Sequence, residues 1–403
     1  MKEYNYNIKI DILPTTAYLN SNGTFNKEEA LILSGKVAGV CYDKEGFKHL
    51  IDEPVEKTLR RIDLTLNSGH HSVYDHINIS FNFQNVPKLL AMVLNNEHQY
   101  TTSEKSARYT PVIVKEGSII TGEEEKLYNK WLEIFKEKIK NRYSYIYNDS
   151  KIQKLAQENA RYMVTIFMPT QMVYTTTLRQ INYIVSWMKE YCVQIDTSDD
   201  FQVRLKAAME EFIEELSKLN VLDVGLLKNE KHRNISLFGK EISGEKEYFG
   251  KVYHTIYKGT FAYLAHAHRH RTLDYQMERM ENKEYYIPQI IKDDISLVNE
   301  WIKDIESVGD IHPQGELVLI SECGKYEDFI LKCKERLCSA AQLEIAQQTK
   351  ETLMKYKAFL EDSGDKRALD IVKYTRGARC TFPDFDCTAD CKFKEGKTLE
   401  REI

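Results

Sequence analysis

The chain has 403 residues, 42% of them hydrophobic and 29% charged, with a net charge of −5. That is material for two or three domains with a sizeable core. The slightly acidic balance excludes a general nucleic-acid binder, which carries a broad basic excess. No run approaches the roughly 20 apolar residues of a membrane helix, and the first seven residues lack the apolar core of a signal peptide. A soluble, cytoplasmic protein that touches neither membrane nor nucleic acid is therefore expected.

In chain order, Tyr4–Leu13 alternates polar and apolar residues and reads as a strand closed by Pro14. Asn26 precedes a helical pattern as a cap would. Glu53–Leu66 reads as a helix with Pro54 in its first turn, stopped by Asn67-Ser-Gly69. His70–His76 follows. Ile77–Phe83 alternates as a strand, and Val86–Leu94 is a short apolar helix. Asn96–Tyr109 is a polar segment. Helical periodicity is expected over 123–147, 151–168, 175–191 and 200–219. From 220 to 247 the composition turns mixed and rich in Gly, Lys and Glu, which suggests a domain boundary.

Beyond it the pattern repeats. Setting His98 against Arg271 without a gap aligns 76–98 with 249–271, strand on strand and apolar helix on apolar helix. The period is far longer than a solenoid unit. The expected architecture is α+β, two tandem copies of one domain with helices packed on a mixed or antiparallel sheet. The expected boundaries are 1–225, 226–375 and a cysteine-containing tail at 376–403.

The stretch Leu264-Ala-His-Ala-His-Arg-His-Arg271 packs three histidines and two arginines behind an apolar run. Three readings are open for it. A basic helix end could bind a phosphorylated or flavin-like ligand, because arginine offers a planar fork of donors. His266, His268 and His270 could bind a metal. It could also be a solvated charge cluster.

Several motifs decide in favour of the first. Arg269-His270-Arg271 is preceded by His70-x-Ser72-x-x-Asp75-His76 and by Ser106-Ala107-Arg108-Tyr109 with Glu104 before it. Glu158-Asn-Ala-Arg161 and Arg179 lie between, and Arg336-Leu-Cys-Ser-Ala-Ala-Gln342-Leu-Glu344-Ile345 follows. In this order and spacing the set resembles the flavin-dependent thymidylate synthases, the ThyX family. The motifs are divided between the halves. The first half has Asn96-Glu97-His98 in place of the triplet and Thr177 where the family has Asn. The second keeps the triplet but has Arg279 where the family has serine.

The resemblance implies methylation of dUMP to dTMP, with methylenetetrahydrofolate as carbon donor, FAD as cofactor and NADPH as reductant. It implies that His70, Asp75, Glu104, Arg179, Arg269, His270 and Arg271 form the flavin pocket. Ser106, Ala107, Arg108, Arg161, Arg269 and Arg336 would then hold the nucleotide, with Arg336 polarising the uracil carbonyls as the catalytic group. Family members are tetramers with sites between subunits, so a homodimer of this doubled chain is expected. The alternatives are a homologue acting on another pyrimidine nucleotide and a catalytically inactive scaffold subunit. Cys380, Cys387 and Cys391 give three thiols within the tail. Reduced cysteines are the expected state. Zinc, with a fourth ligand from Cys333, Cys338 or a histidine, is the alternative.

Overall fold

The computed structural model describes residues 4–106, 112, 119–228, 233–238, 242–388, 391 and 393–403. In the first half the order is β1 (Lys9–Ile12), α1 (Lys27–Gly39), α2 (Phe47–Ile51), α3 (Val55–Asn67), β2 (Asn78–Pro87), α4 (Lys88–Leu94) and β3 (Tyr100–Glu104). Then come α5 (Gly122–Tyr143), α6 (Asp149–Ala160), β4 (Pro169–Thr177), α7 (Leu178–Gln194), α8 (Asp200–Lys218) and α9 (Val224–Leu227). The second half has β5 (Tyr248–Phe249), β6 (Val252–Thr260), α10 (Phe261–Ala267), β7 (Asp274–Arg279), α11 (Ile295–Ser307) and β8 (Leu317–Lys325). It closes with α12 (Tyr326–Arg336), α13 (Leu343–Asp362), α14 (Ala368–Ile371) and α15 (Lys394–Thr398).

The strands form two antiparallel four-stranded sheets, in the orders β1-β2-β4-β3 and β5-β6-β8-β7. One topology thus occurs twice, as the repeat in the sequence predicts. The ungapped alignment also sets Lys88 on Phe261 and Leu94 on Ala267, the first and last residues of α4 and α10. Strand β2 buries Ile79, Phe81 and Phe83 on one face, as its period of two requires. Helix α8 packs there through Phe201, Leu205, Ala208, Phe212 and Leu216. The Phe212 ring stands edge-on to Phe83 at 5.1 Å.

Two expectations about local structure are corrected. Residues 169–177 are strand β4, although a helix was expected to begin at 175 and so to cover the strand's last three residues. Alternating burial along this Thr-rich run, with Pro169 at its start, is the signature of a strand. Helix α7 begins only where Thr177 caps it, accepting a bond from Gln180 N at 3.1 Å. The polar run after His98 contains β3, an edge strand whose outward residues are solvated.

The chain divides into two compact units, and they are not contiguous. Unit 1 holds residues 1–105 and 169–236; unit 2 holds 106–168 and 237–403. The expected boundaries fall at 225 and 375, whereas the chain crosses between these two units three times. The helical pair α5–α6, inserted between β3 and β4, folds with the second half. Its apolar face supplies Leu127, Trp131, Phe135, Ile139, Ile152 and Leu155 to a core with Trp301 and Ile305 of α11. Trp131 meets Trp301 edge-on at 4.8 Å, a geometry that adds to the burial. The tail joins the same core through Phe393, edge-on to Tyr143 at 5.6 Å. No helix among the described residues is long and apolar enough to cross a membrane.

Candidate active site

In unit 2 the triplet follows α10, whose first turn is fixed from below. Thr260 caps the helix and is itself gripped by the buried Glu344, which accepts from Thr260 N and from Thr260 Oγ1, both at 2.8 Å. Glu344 also accepts from Tyr162 OH at 2.9 Å, and Gln342 donates to that hydroxyl at 2.8 Å. Tyr162 comes from the first half of the chain, directly after Arg161. Gln342 and Glu344 come from the closing motif of the second half. The two motifs, 180 residues or more apart in sequence, are therefore bonded to one another. Burial raises the Glu344 carboxyl above its ordinary value, against the pull of these donors.

At the far end of α10 exposure alternates. His266, His268 and His270 are buried, while Arg269 and Arg271 are exposed. His270 Nε2 lies 2.5 Å from Arg336 Nε at the end of α12. A guanidinium has no acceptor, so the imidazole nitrogen must accept. That places the His270 proton on Nδ1, which faces Glu335 Oε2 at 3.4 Å. Burial, then the charges of Arg336 and Lys332, push His270 well below its ordinary pKa and keep the ring neutral. Arg336 is lowered as well, chiefly by burial and further by Arg269.

Arg161 is buried at the end of α6, in the same unit. Ser106 is half-buried just past β3 and also falls in unit 2. Ala107 and Arg108 lie outside the described residues. Among the described residues, no group of three or more His, Cys, Asp or Glu could hold a metal ion. This applies to the buried histidines and to the tail cysteines, which are free thiols.

Unit 1 holds the other expected residues. Asp75 grips Arg179 two-handed, at 3.0 Å to Nε and 2.7 Å to Nη2, and accepts from Thr177 Oγ1 at 2.7 Å. This puts a fixed, partly exposed guanidinium in the first turn of α7, 5.5 Å from the Tyr183 ring. His70 is exposed, at the start of the turn of 3₁₀ helix, His71–His76, that carries Asp75. Glu104 is engaged differently from a ligand-facing carboxylate, since its side chain is buried in an ion pair with Lys88.

Sequence reasoning missed what replaced the triplet in the first half. Glu97, aligned with His270, is 1% exposed and pairs with Arg233 at 2.5 Å while accepting from Ser236 N at 2.6 Å. The Arg233 guanidinium lies 3.4 Å from the Trp187 ring centroid. In this copy the basic triplet has become a structural ion pair. The acidic Glu97 at the position aligned with His270 was the available signal.

A doubled α+β sheet protein with an arginine-rich helix end and a neutral histidine defines the class. Residues 26–212 match the family of thymidylate synthase complementing proteins. The flavin-dependent thymidylate synthase of Pyrococcus furiosus is 25% identical over 148 residues, covering 35% of this chain and 57% of that protein. The Thermococcus onnurineus enzyme is 26% identical over 150 residues, covering 36% and 58%. The matches thus span a little over half the length of these curated relatives. Among solved structures, a UMP/dUMP methylase from Streptomyces cacaoi is 16% identical, covering 53% of this chain and 92% of that one, with a TM-score of 0.32. Thymidylate synthase X from Helicobacter pylori, with FAD and dUMP, is 12% identical, covering 49% and 95%, with a TM-score of 0.30. Residues 26–212 are thus similar to the thymidylate synthase complementing proteins, and the curated relatives that the chain resembles are flavin-dependent thymidylate synthases.

Proposed function

We propose that this protein methylates dUMP to dTMP, taking the carbon from methylenetetrahydrofolate and reducing equivalents from NADPH through FAD. The observation that carries the reading is the bonding of Tyr162, next to Arg161, to Gln342 and Glu344. It joins the nucleotide motif kept by one half to the catalytic-arginine motif kept by the other, within one compact unit.

The residues present suit the cofactor and the substrate. Exposed Arg269 and Arg271 offer charge to an anionic flavin or phosphate, and bidentate arginine recognises such groups best. Asp75 occupies the Nε and Nη2 edge of Arg179, which leaves the remaining donors for an anionic ligand. Bound FAD would supply the hydride, the hard chemistry in such enzymes. The protein's own task is orientation and electrostatics. Arg161, with Ser106, would hold the phosphate and sugar. Arg336, braced by the lone pair of neutral His270, would stabilise charge developing on the uracil carbonyls. Because His270 stays neutral, it adds no competing positive charge and steers the guanidinium instead. A homodimer would bring four copies of the sheet domain together, as in a family tetramer.

The test uses the full chain, purified and supplied with FAD, NADPH and methylenetetrahydrofolate. Release of tritium from 5-labelled dUMP, with formation of dTMP, is expected. A protein that stays colourless with added FAD acts as a scaffold, and release of tritium from UMP but not dUMP indicates another pyrimidine substrate.

A further inference from the structure

Beneath the His270–Arg336 contact lies a buried charged network that the reaction itself does not use. Lys332 Nζ meets Glu322 Oε2 at 2.6 Å, and both side chains are 0% exposed. Glu322 accepts from Tyr253 OH at 2.6 Å and from Tyr257 OH at 2.5 Å. Tyr257 and Tyr263 share a hydrogen bond of 2.8 Å, and Lys332 reaches Tyr263 OH at 3.2 Å. The rings of Tyr263 and Tyr275 stand 5.8 and 5.9 Å from the ammonium. Every oxygen of Glu322 thus has a donor.

Its hydrogen bonds join four elements, β6, β8, α10 and α12. Two of them carry the site. Tyr263 sits on α10, whose end leads into the triplet, and Lys332 sits one turn before Arg336 on the same face of α12.

The first copy supplies an internal comparison. Strands β4 and β8 are both nine residues long and are followed at once by α7 and α12. Glu322 therefore corresponds to Tyr174, Lys332 to Ile184, and Tyr263 to Leu90, all three 0% exposed. Where the triplet has been lost, the same core is closed by aromatic and aliphatic packing. Replacing a buried ion pair by well-packed apolar groups is often neutral or stabilising. Stability alone therefore does not explain the pair in the copy that keeps Arg269-His270-Arg271. Fully satisfied directional bonds fix the distance and rotation between two helices more narrowly than apolar packing does.

We propose that Lys332 and Glu322, with Tyr257 and Tyr263, form a positioning clamp that sets α10 against α12 and so holds His270 and Arg336 in bonding register. The clamp touches neither substrate nor cofactor. Its effect on turnover rests on the functional reading above; its effect on His270 does not.

The test is the double variant Lys332→Met with Glu322→Gln, which removes both charges together and leaves neither partner buried alone. Nitrogen-15 histidine NMR, assigned with His270→Gln, reads the ring directly. Wild type is expected to show His270 neutral, with the proton on Nδ1, at pH 7. The double variant is expected to show a mixture of tautomers. Its kcat for dUMP should fall about 10- to 100-fold, with KM changed about twofold or less, as expected when only transition-state orientation is lost. A double variant with the wild-type His270 spectrum overturns the proposal. If the double variant does not fold, Tyr257→Phe, which removes one donor from Glu322, is read the same way, and an unchanged His270 spectrum there overturns it too. Loss of activity in wild type removes the functional reading alone, because the His270 spectra still decide the clamp.

Discussion

Replacing Glu344 by alanine tests the junction between the two motifs. The carboxylate accepts from Thr260 N, Thr260 Oγ1 and Tyr162 OH at 2.8–2.9 Å, and from Gln342 Nε2 only at 3.5 Å. A buried donor left without an acceptor costs about 1–3 kcal/mol. The two hydroxyls can turn toward other acceptors, but the Thr260 amide cannot. With one donor at full cost and two at partial cost, Glu344→Ala should destabilise unit 2 by about 3–5 kcal/mol. Glu344→Gln keeps an oxygen for the amide and should cost about 1 kcal/mol. The assay is urea unfolding followed by tryptophan fluorescence. Of the three tryptophans, Trp131 and Trp301 lie in unit 2 and Trp187 in unit 1, so a Trp187→Phe background leaves unit 2 as the only reporter. A Glu344→Ala protein within about 1 kcal/mol of its background, or a Glu344→Gln protein that loses as much as the alanine variant, would refute the reasoning.

Further predictions follow from the same geometry. His270 has an ordinary pKa of 6.5 and is held well below it in the fold. A group whose folded pKa is depressed contributes stability above its unfolded pKa, and that contribution is lost as pH falls from about 6.5 toward the folded value. His270→Gln should therefore flatten the fall in unit 2 stability below about pH 6.5, measured by urea unfolding across pH. Arg179→Lys gives up the two-handed grip of Asp75, and FAD affinity by fluorescence titration should drop about tenfold, or about 1.4 kcal/mol; an unchanged affinity would remove Arg179 from the flavin pocket. Arg336→Lys should lower kcat by about 100-fold, since one electrostatic donor in such a site is worth about that much. Light scattering should find a dimer, and a monomer that is fully active would separate catalysis from assembly.

The amino-acid order alone determined the α+β class, the repeat and the ungapped register that sets α4 on α10, because hydrophobic period is local and survives divergence. It also supplied the candidates for anion binding, Arg161, Arg179, Arg269 and Arg336, which are read directly from the motifs. Strand β4 was legible too, in the alternation of 169–177, but its end was masked by the helical pattern expected from 175. Only the tertiary structure decided that α5 and α6 fold with the second half, because an amphipathic helix shows that it has a partner but not which one. The same holds for Glu344 beneath Thr260, for Lys332 against Glu322, and for Glu97 beside Arg233. The burial that makes each of these charges costly, and therefore paired, is a property of what lies around it in space.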